Sequence, residues 1–125
     1  MRKLAPSADS AETCRITLDE AARLLASSAQ RSVAVFEHGT LQVKLYAPRG
    51  KDAQTPHSRD EIYVIAGGHG WFVNEGRRHP FAPHDVLFAR AGAQHQFEDF
   101  SDDFLVWVFF YGPEGGEPDT DPGIG

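Results

Sequence analysis

"TPHSRDEIYVIAGG", Thr55 to Gly68, sets a histidine four residues ahead of a glutamate and then runs at once into β-forming residues. A straight strand over 57–61 would put His57, Arg59 and Glu61 on one face, where the arginine would compete for the carboxylate. Ser58-Arg59-Asp60 is turn-prone, however, so His57 is expected to end one strand and Glu61 to begin the next, with Arg59 at the loop tip. On that reading the stretch is a strand–turn–strand unit that brings an imidazole and a carboxylate together.

The same texture extends in both directions. From Ser32 onward, short apolar runs are broken by Gly, Pro, Asn and Asp at intervals of about ten residues, the signature of an antiparallel sandwich or barrel. The expected strands are "SVAVFEH", "LQVKLYA", "EIYVIAG", "GWFVNE", "RRHPFAP", "DVLFAR", "AQHQFE" and "DFLVWVFFYG", and "NEGR", Asn74–Arg77, carries the residues of a tight hairpin loop. The last strand is apolar on both faces, which places it between packed layers or in a subunit contact. Ahead of the strands, "TLDEAARLLASSAQ" has Thr17 and Glu20 at capping-box spacing, with Leu18, Ala22, Leu25 and Ala29 on one stripe. It predicts a short amphipathic helix over about 17–29 that needs a sheet to lie on.

At 125 residues the chain is sized for one domain. Residues 1–15 read as a loosely held arm, 16–111 as the folded domain with its barrel at about 32–111, and the Gly-, Pro- and acid-rich 112–125 as a disordered tail. Net charge is −6 and the basic residues are scattered, which argues against a nucleic-acid partner. "FLVWVFFY", Phe104–Tyr111, is too short to span a bilayer, so no membrane partner is expected. The N-terminus lacks the apolar run of a secretory signal, and the single Cys14 suits a reducing compartment; a cytoplasmic location is the expectation.

One thiol cannot build a cysteine zinc cluster, no serine lies in an activating context, and Gly67, Gly68 and Gly70 do not open a helix as a phosphate loop would. Any metal must therefore be held by imidazoles and carboxylates. At this point the residues resemble a family. "PHSRDEIYVIAGGHG" is similar to the first conserved motif of the cupins and "HDVLFARAGAQHQFEDF" to the second, and with the intervening strands they span about residues 50–111. His57, Glu61 and Gly68 keep the second half of the family's first motif, G-x5-H-x-H-x3-4-E-x6-G. His84, Arg90, Gly92, His95 and Asp99 keep the spacing of its second, G-x5-P-x-G-x2-H-x3-N, with Gly92 and His95 also keeping the residue type.

The resemblance implies an all-β, double-stranded β-helix (cupin) barrel, and the amphipathic N-terminal helix is expected to pack on its outer surface. The resemblance also implies one divalent ion, Fe, Mn, Zn or Ni, held by His57, Glu61 and His95. Thr55 stands where the family's other histidine falls and offers only a hydroxyl. Two imidazoles and a carboxylate suit a first-row ion with open positions, as in non-haem Fe(II) oxygenases or a Lewis-acid zinc or manganese site.

Some assignments stay open on sequence. Asp60 rivals Glu61, although Glu61 alone puts Gly68 and Gly70 in register with the family's G-x-G. His69 is either a stand-in ligand or an edge residue; His38 and His79 read as ordinary strand residues, and His84 as a histidine accepting positive φ. Tyr63 and Phe97, two residues from Glu61 and His95, are expected pocket walls or barrel filling. Arg90 is either an anion-binding pocket residue or the partner of an exposed acid. Lys44 and Tyr46 are expected on a solvated outer face, the alternative being a lumen position as acid–base or binding groups. The function expected is a metal-dependent enzyme acting on a small organic molecule, the alternative being a non-catalytic binding or sensing barrel, and a metal-free isomerase ranking third. A homodimer is expected from the last strand.

Overall fold

A computed structural model describes residues 14–52 and 54–119 of the chain. The arm expected at the N-terminus falls outside these residues except for its last two. Helix α1, Leu18–Ala26, begins as its sequence predicts: the Thr17 hydroxyl accepts from Glu20 N–H at 3.0 Å, and the Glu20 carboxylate accepts from Thr17 N–H at 2.8 Å. It ends three residues earlier than expected. The Ser27 hydroxyl donates back to the Leu24 carbonyl and the Ser28 hydroxyl accepts from Gln30 N–H, so side chains take over backbone groups that another helical turn would need.

Eight strands follow: β1 Ser32–His38, β2 Leu41–Tyr46, β3 Asp60–Gly67, β4 Gly70–Asn74, β5 Arg77–Phe81, β6 Val86–Ala89, β7 His95–Glu98 and β8 Leu105–Tyr111. All of their pairings are antiparallel, in a five-stranded sheet ordered β1-β2-β8-β3-β6 and a three-stranded sheet ordered β5-β4-β7. β7 starts at His95 rather than Ala93, because Gly92 at φ 81 and the Ala93 N–H to Arg90 carbonyl bond form a turn there. Gly68 and Gly70 mark the crossing between the sheets. A Cβ on Gly68 would lie 2.6 Å from Phe104 Cα and one on Gly70 2.7 Å from Phe100 Cα, so no side chain fits at either position.

The space between the sheets is filled by Tyr63, Ile65, Val106 and Val108 from one side and Phe72, Phe81 and Phe97 from the other, with Phe104 closing the end. Tyr63 and Phe97 pack edge to face at 4.9 Å, as do Phe97 and Phe104 at 4.8 Å. Each such ring contributes about 1.5–3 kcal/mol by leaving water, plus a smaller aromatic pairing gain. A second cluster lies on the outside, where Ala21 and Leu25 of α1 cover Leu45 and Ala47, flanked by Val33, Leu105 and Trp107. β8 is apolar on both faces for this reason. Val106 and Val108 face the lumen, and Leu105 and Trp107 lie under the helix, so two layers of the same chain account for it.

The tail departs from expectation as far as it is described. Residues 112–119 fold back along the barrel: Gly115 N–H donates to the Ser58 carbonyl at 2.6 Å, and Glu117 N–H to the Asp60 carboxylate at 2.8 Å. Composition forecasts disorder because the segment has little to bury, but two backbone donors meeting a fixed carbonyl and carboxylate hold it without a core. Residues 120–125 of the expected tail lie outside the described residues.

Candidate metal centre

Glu61 sits on the lumen face of β3, paired across to Ala89 on one side and Phe110 on the other, and is 1% exposed. His95 opens β7 opposite Asn74. His57 lies just ahead of β3, in a segment that forms no strand, so the strand end expected for it is absent. It is held instead by main chain and ring packing: Gly92 N–H donates to the His57 carbonyl at 2.7 Å, and the imidazole stands edge-on to Phe110 at 5.0 Å. The two motifs therefore meet directly. His57, Glu61 and His95 each offer a ligand atom within 4.8 Å of the others, a cluster of a kind and spacing able to hold a metal ion.

The atoms of this cluster are short of partners. His95 Nδ1 lies 2.9 Å from the Ala93 carbonyl, so Nδ1 carries the proton and donates it, leaving the Nε2 lone pair aimed at the lumen. Nε2 stands 3.1 Å from Glu61 Oε1, yet it and both Glu61 oxygens are buried without a hydrogen-bond partner among the described residues. A lone pair facing a carboxylate repels it unless a proton or a metal cation lies between, and a first-row divalent ion suits this donor set. Burial pushes the His95 pKa down, but Glu61 and the Ala93 carbonyl outweigh it and the net shift is upward, favouring the imidazolium beside the carboxylate when no metal is bound. For His57 burial wins over the attraction of Glu61, with His95 and Lys44 adding repulsion, and its pKa is lowered; the ring is neutral and ready to ligate. Its Nε2 is 3.9 Å from Glu61 Oε1 and 3.1 Å from Gln54 Oε1.

Gln54 and Asp52 are the functional residues that sequence reasoning missed. Thr55 is exposed and does not enter the cluster; Gln54 does, its Oε1 facing His57 Nε2 and accepting from the Tyr63 hydroxyl at 3.2 Å. If His57 turns its nitrogen to an ion, Tyr63 still satisfies that oxygen. Gln54 is placed by Asp52, whose Oδ2 accepts from Gln54 Nε2 and Phe97 N–H, both at 2.8 Å, and whose Oδ1 accepts from the Tyr46 hydroxyl at 2.5 Å. Burial and Asp52 push the Tyr46 pKa far up, so that hydroxyl stays a donor. The one available signal was the scarcity of β-formers in 51–56, where only Thr55 is one and alternation cannot be counted on to place side chains.

The remaining expectations divide. Tyr63 and Phe97 are fully enclosed and form the floor below the cluster rather than an open wall. Burial, with Glu61 nearby, also drives the Tyr63 pKa up, so it remains a neutral donor to Gln54. Arg90 is not in the pocket: it is exposed and pairs with Asp119 of the returning tail. Asp60 is no ligand, because its carboxylate faces away and accepts from Ala91 N–H at 2.9 Å and Glu117 N–H. His69 is exposed, with its backbone N–H bonded to Ser101 Oγ, and His38 and His79 are exposed strand residues. His84 takes φ 79, and Asp99, where the motif has asparagine, takes φ 50. The β2 faces are the reverse of expectation. Val43 and Leu45 are buried on the outer side because α1 covers it, and Lys44 and Tyr46 line a lumen cavity of about 260 Å³ with Ser32, Gln54, Glu61, Val108 and Phe110.

No known family model matches the chain. An uncharacterized protein of Streptomyces coelicolor is 33% identical over 63 residues, a match that spans 50% of this chain and 60% of that protein. Two sheets closed around an aromatic core, with a two-histidine, one-carboxylate cluster in the lumen, define a double-stranded β-helix barrel. Solved structures give that class its name. A cupin 2 conserved barrel domain protein of Salinispora arenicola superposes with TM-score 0.55 at 18% identity, covering 65% of this chain and 74% of that one. A cupin-2 domain containing protein of Shewanella frigidimarina superposes with TM-score 0.57 at 12% identity, covering 73% and 91%. The chain has the cupin fold.

Proposed function

We propose that this cupin is a divalent-metal protein acting on a small organic molecule, with His57, Glu61 and His95 as the ligands. One observation carries the reading: the two Glu61 oxygens and His95 Nε2 converge in a buried space with no donor between them. A first-row ion there would supply Lewis acidity or a site for dioxygen. The protein's own part is visible in the surrounding side chains. The Ala93 carbonyl fixes the His95 tautomer, Phe110 and the Gly92 amide hold His57, and Tyr63, Phe72 and Phe97 keep water from the floor. Lys44, Tyr46 and Ser32 shape the cavity above.

The test is elemental analysis of protein purified without chelator, beside His95→Ala. Near-stoichiometric metal that the substitution removes is the expected result. Protein that carries none, and whose melting temperature is unmoved by added Fe(II), Mn(II) or Zn(II), would sink the reading. A second reading, a non-catalytic binding barrel, draws on Gln54, whose amide stands against His57 where a further imidazole would strengthen the site. It predicts a small molecule that raises the melting temperature and is recovered unchanged. We also propose a homodimer, for which Val86 (67%) and Phe88 (50%), the most exposed of the large apolar side chains and both on β6, offer a surface; light scattering on Val86→Lys tests it.

A further inference from the structure

Among the described residues, Lys44 is an ammonium without a salt-bridge partner. The register places it on the lumen face, opposite Ala34 of β1 and Val108 of β8, and it is the one cation lining the cavity among the described residues. It pairs with no carboxylate among them. Of the two nearby acids, Asp52 is committed to Tyr46, Gln54 and Phe97 N–H, and Glu61 stands beside the histidines. Tyr46 spends its hydroxyl proton on Asp52 and cannot donate to a ligand, which leaves the Ser32 hydroxyl as the neutral donor on β1. Val108 and Phe110 supply an apolar wall beside the ammonium. A cavity of about 260 Å³ lies below the usual range for drug-sized ligands and suits a small metabolite. One ammonium as the single cation in the lining, with no helix N-terminus in it, matches one carboxylate better than a phosphate, which recruits several donors.

We infer that the cavity takes a small organic monoanion, a carboxylate with a short apolar body, whose anionic group sits on Lys44 and whose body lies against Val108 and Phe110. The inference rests on the metal-centre reading only in that the other end of the ligand then faces His57, Glu61 and His95. The straight-chain carboxylates from acetate to hexanoate, each against its neutral amide, are titrated into the full chain by calorimetry, with chelator and again with Zn(II). At least one carboxylate is expected to bind more tightly than its amide, on the order of tenfold, as for a hydrogen bond to a charged group. Lys44→Met should erase that preference, while Lys44→Arg should keep it, and so should His95→Ala in chelator. The inference is overturned if no carboxylate outbinds its amide, or if the preference survives Lys44→Met in protein whose circular dichroism is native. It is equally overturned if His95→Ala rather than Lys44→Met abolishes the preference, since the carboxylate then sits at the histidines. A Lys44-dependent preference in protein that elemental analysis finds metal-free would support this inference while removing the metal centre.

Discussion

Two buried carboxylates stand at the same end of the barrel and live in opposite circumstances. Asp52, 3% exposed, has its oxygens met by three donors, and those bonds tie β2, the 52–54 segment and β7 together. Glu61, 1% exposed, has no hydrogen-bond partner on either oxygen among the described residues, and the imidazole Nε2 of His95 stands 3.1 Å from its Oε1. A satisfied buried acid contributes to holding the fold, whereas an unsatisfied one costs stability until a cation arrives. The contrast separates a structural acid from a candidate ligand more sharply than burial does, since by burial alone the two are alike.

Substitution at the two acids should therefore have opposite signs. Asp52→Ala strands the Phe97 N–H and is expected to cost about 3–5 kcal/mol in urea unfolding, the largest effect here. Glu61→Met should stabilise chelator-treated protein by about 1–3 kcal/mol while abolishing any rise in melting temperature on adding metal. A Glu61→Met protein as damaged as Asp52→Ala would break the comparison. At the neighbouring positions, Gln54→His is expected to tighten metal binding and Thr55→His to leave it unchanged, because only Gln54 reaches His57.

Asp60 offers a third case, a carboxylate satisfied by main chain. The Glu117 N–H and Ala91 N–H hold its pKa below the ordinary 3.8. Because the folded pKa is the lower one, its contribution is complete above the unfolded value and is lost as pH falls through the folded value. Asp60→Ala should lower stability at neutral pH by about 1–2 kcal/mol and flatten the acid limb of the profile below about pH 4. An unchanged acid limb would show that the tail is not pinned there. Smallest of all, Arg90→Ala should change stability by no more than about 0.5 kcal/mol, since its pair with Asp119 is exposed.

What the sequence could show follows from which interactions are local. The capping box of α1 lies within four residues, and the eight strands carry their own periodicity and turns, so both are legible. The His57, Glu61 and His95 cluster is legible because turn chemistry and motif spacing suffice to align it. The lumen direction of β2 is not: alternation separates Lys44 from Leu45 but does not say which face looks inward, and that is decided by α1 docking on Leu45 and Ala47. Gln54 is hidden because residues 54–57 form no ladder, so counting by twos from His57 arrives at Thr55, which is exposed. The tail is hidden because its anchor, Asp60, lies far away in the chain.

The bond from Gly92 N–H to the His57 carbonyl also has a spectroscopic consequence. It makes one amide proton a gauge of the docking between the two motifs. That proton should exchange slowly with deuterium while His57 stays beside His95, and quickly once the segment carrying His57 swings away. Following this one resonance through a metal titration would time the assembly of the centre, with no substrate needed.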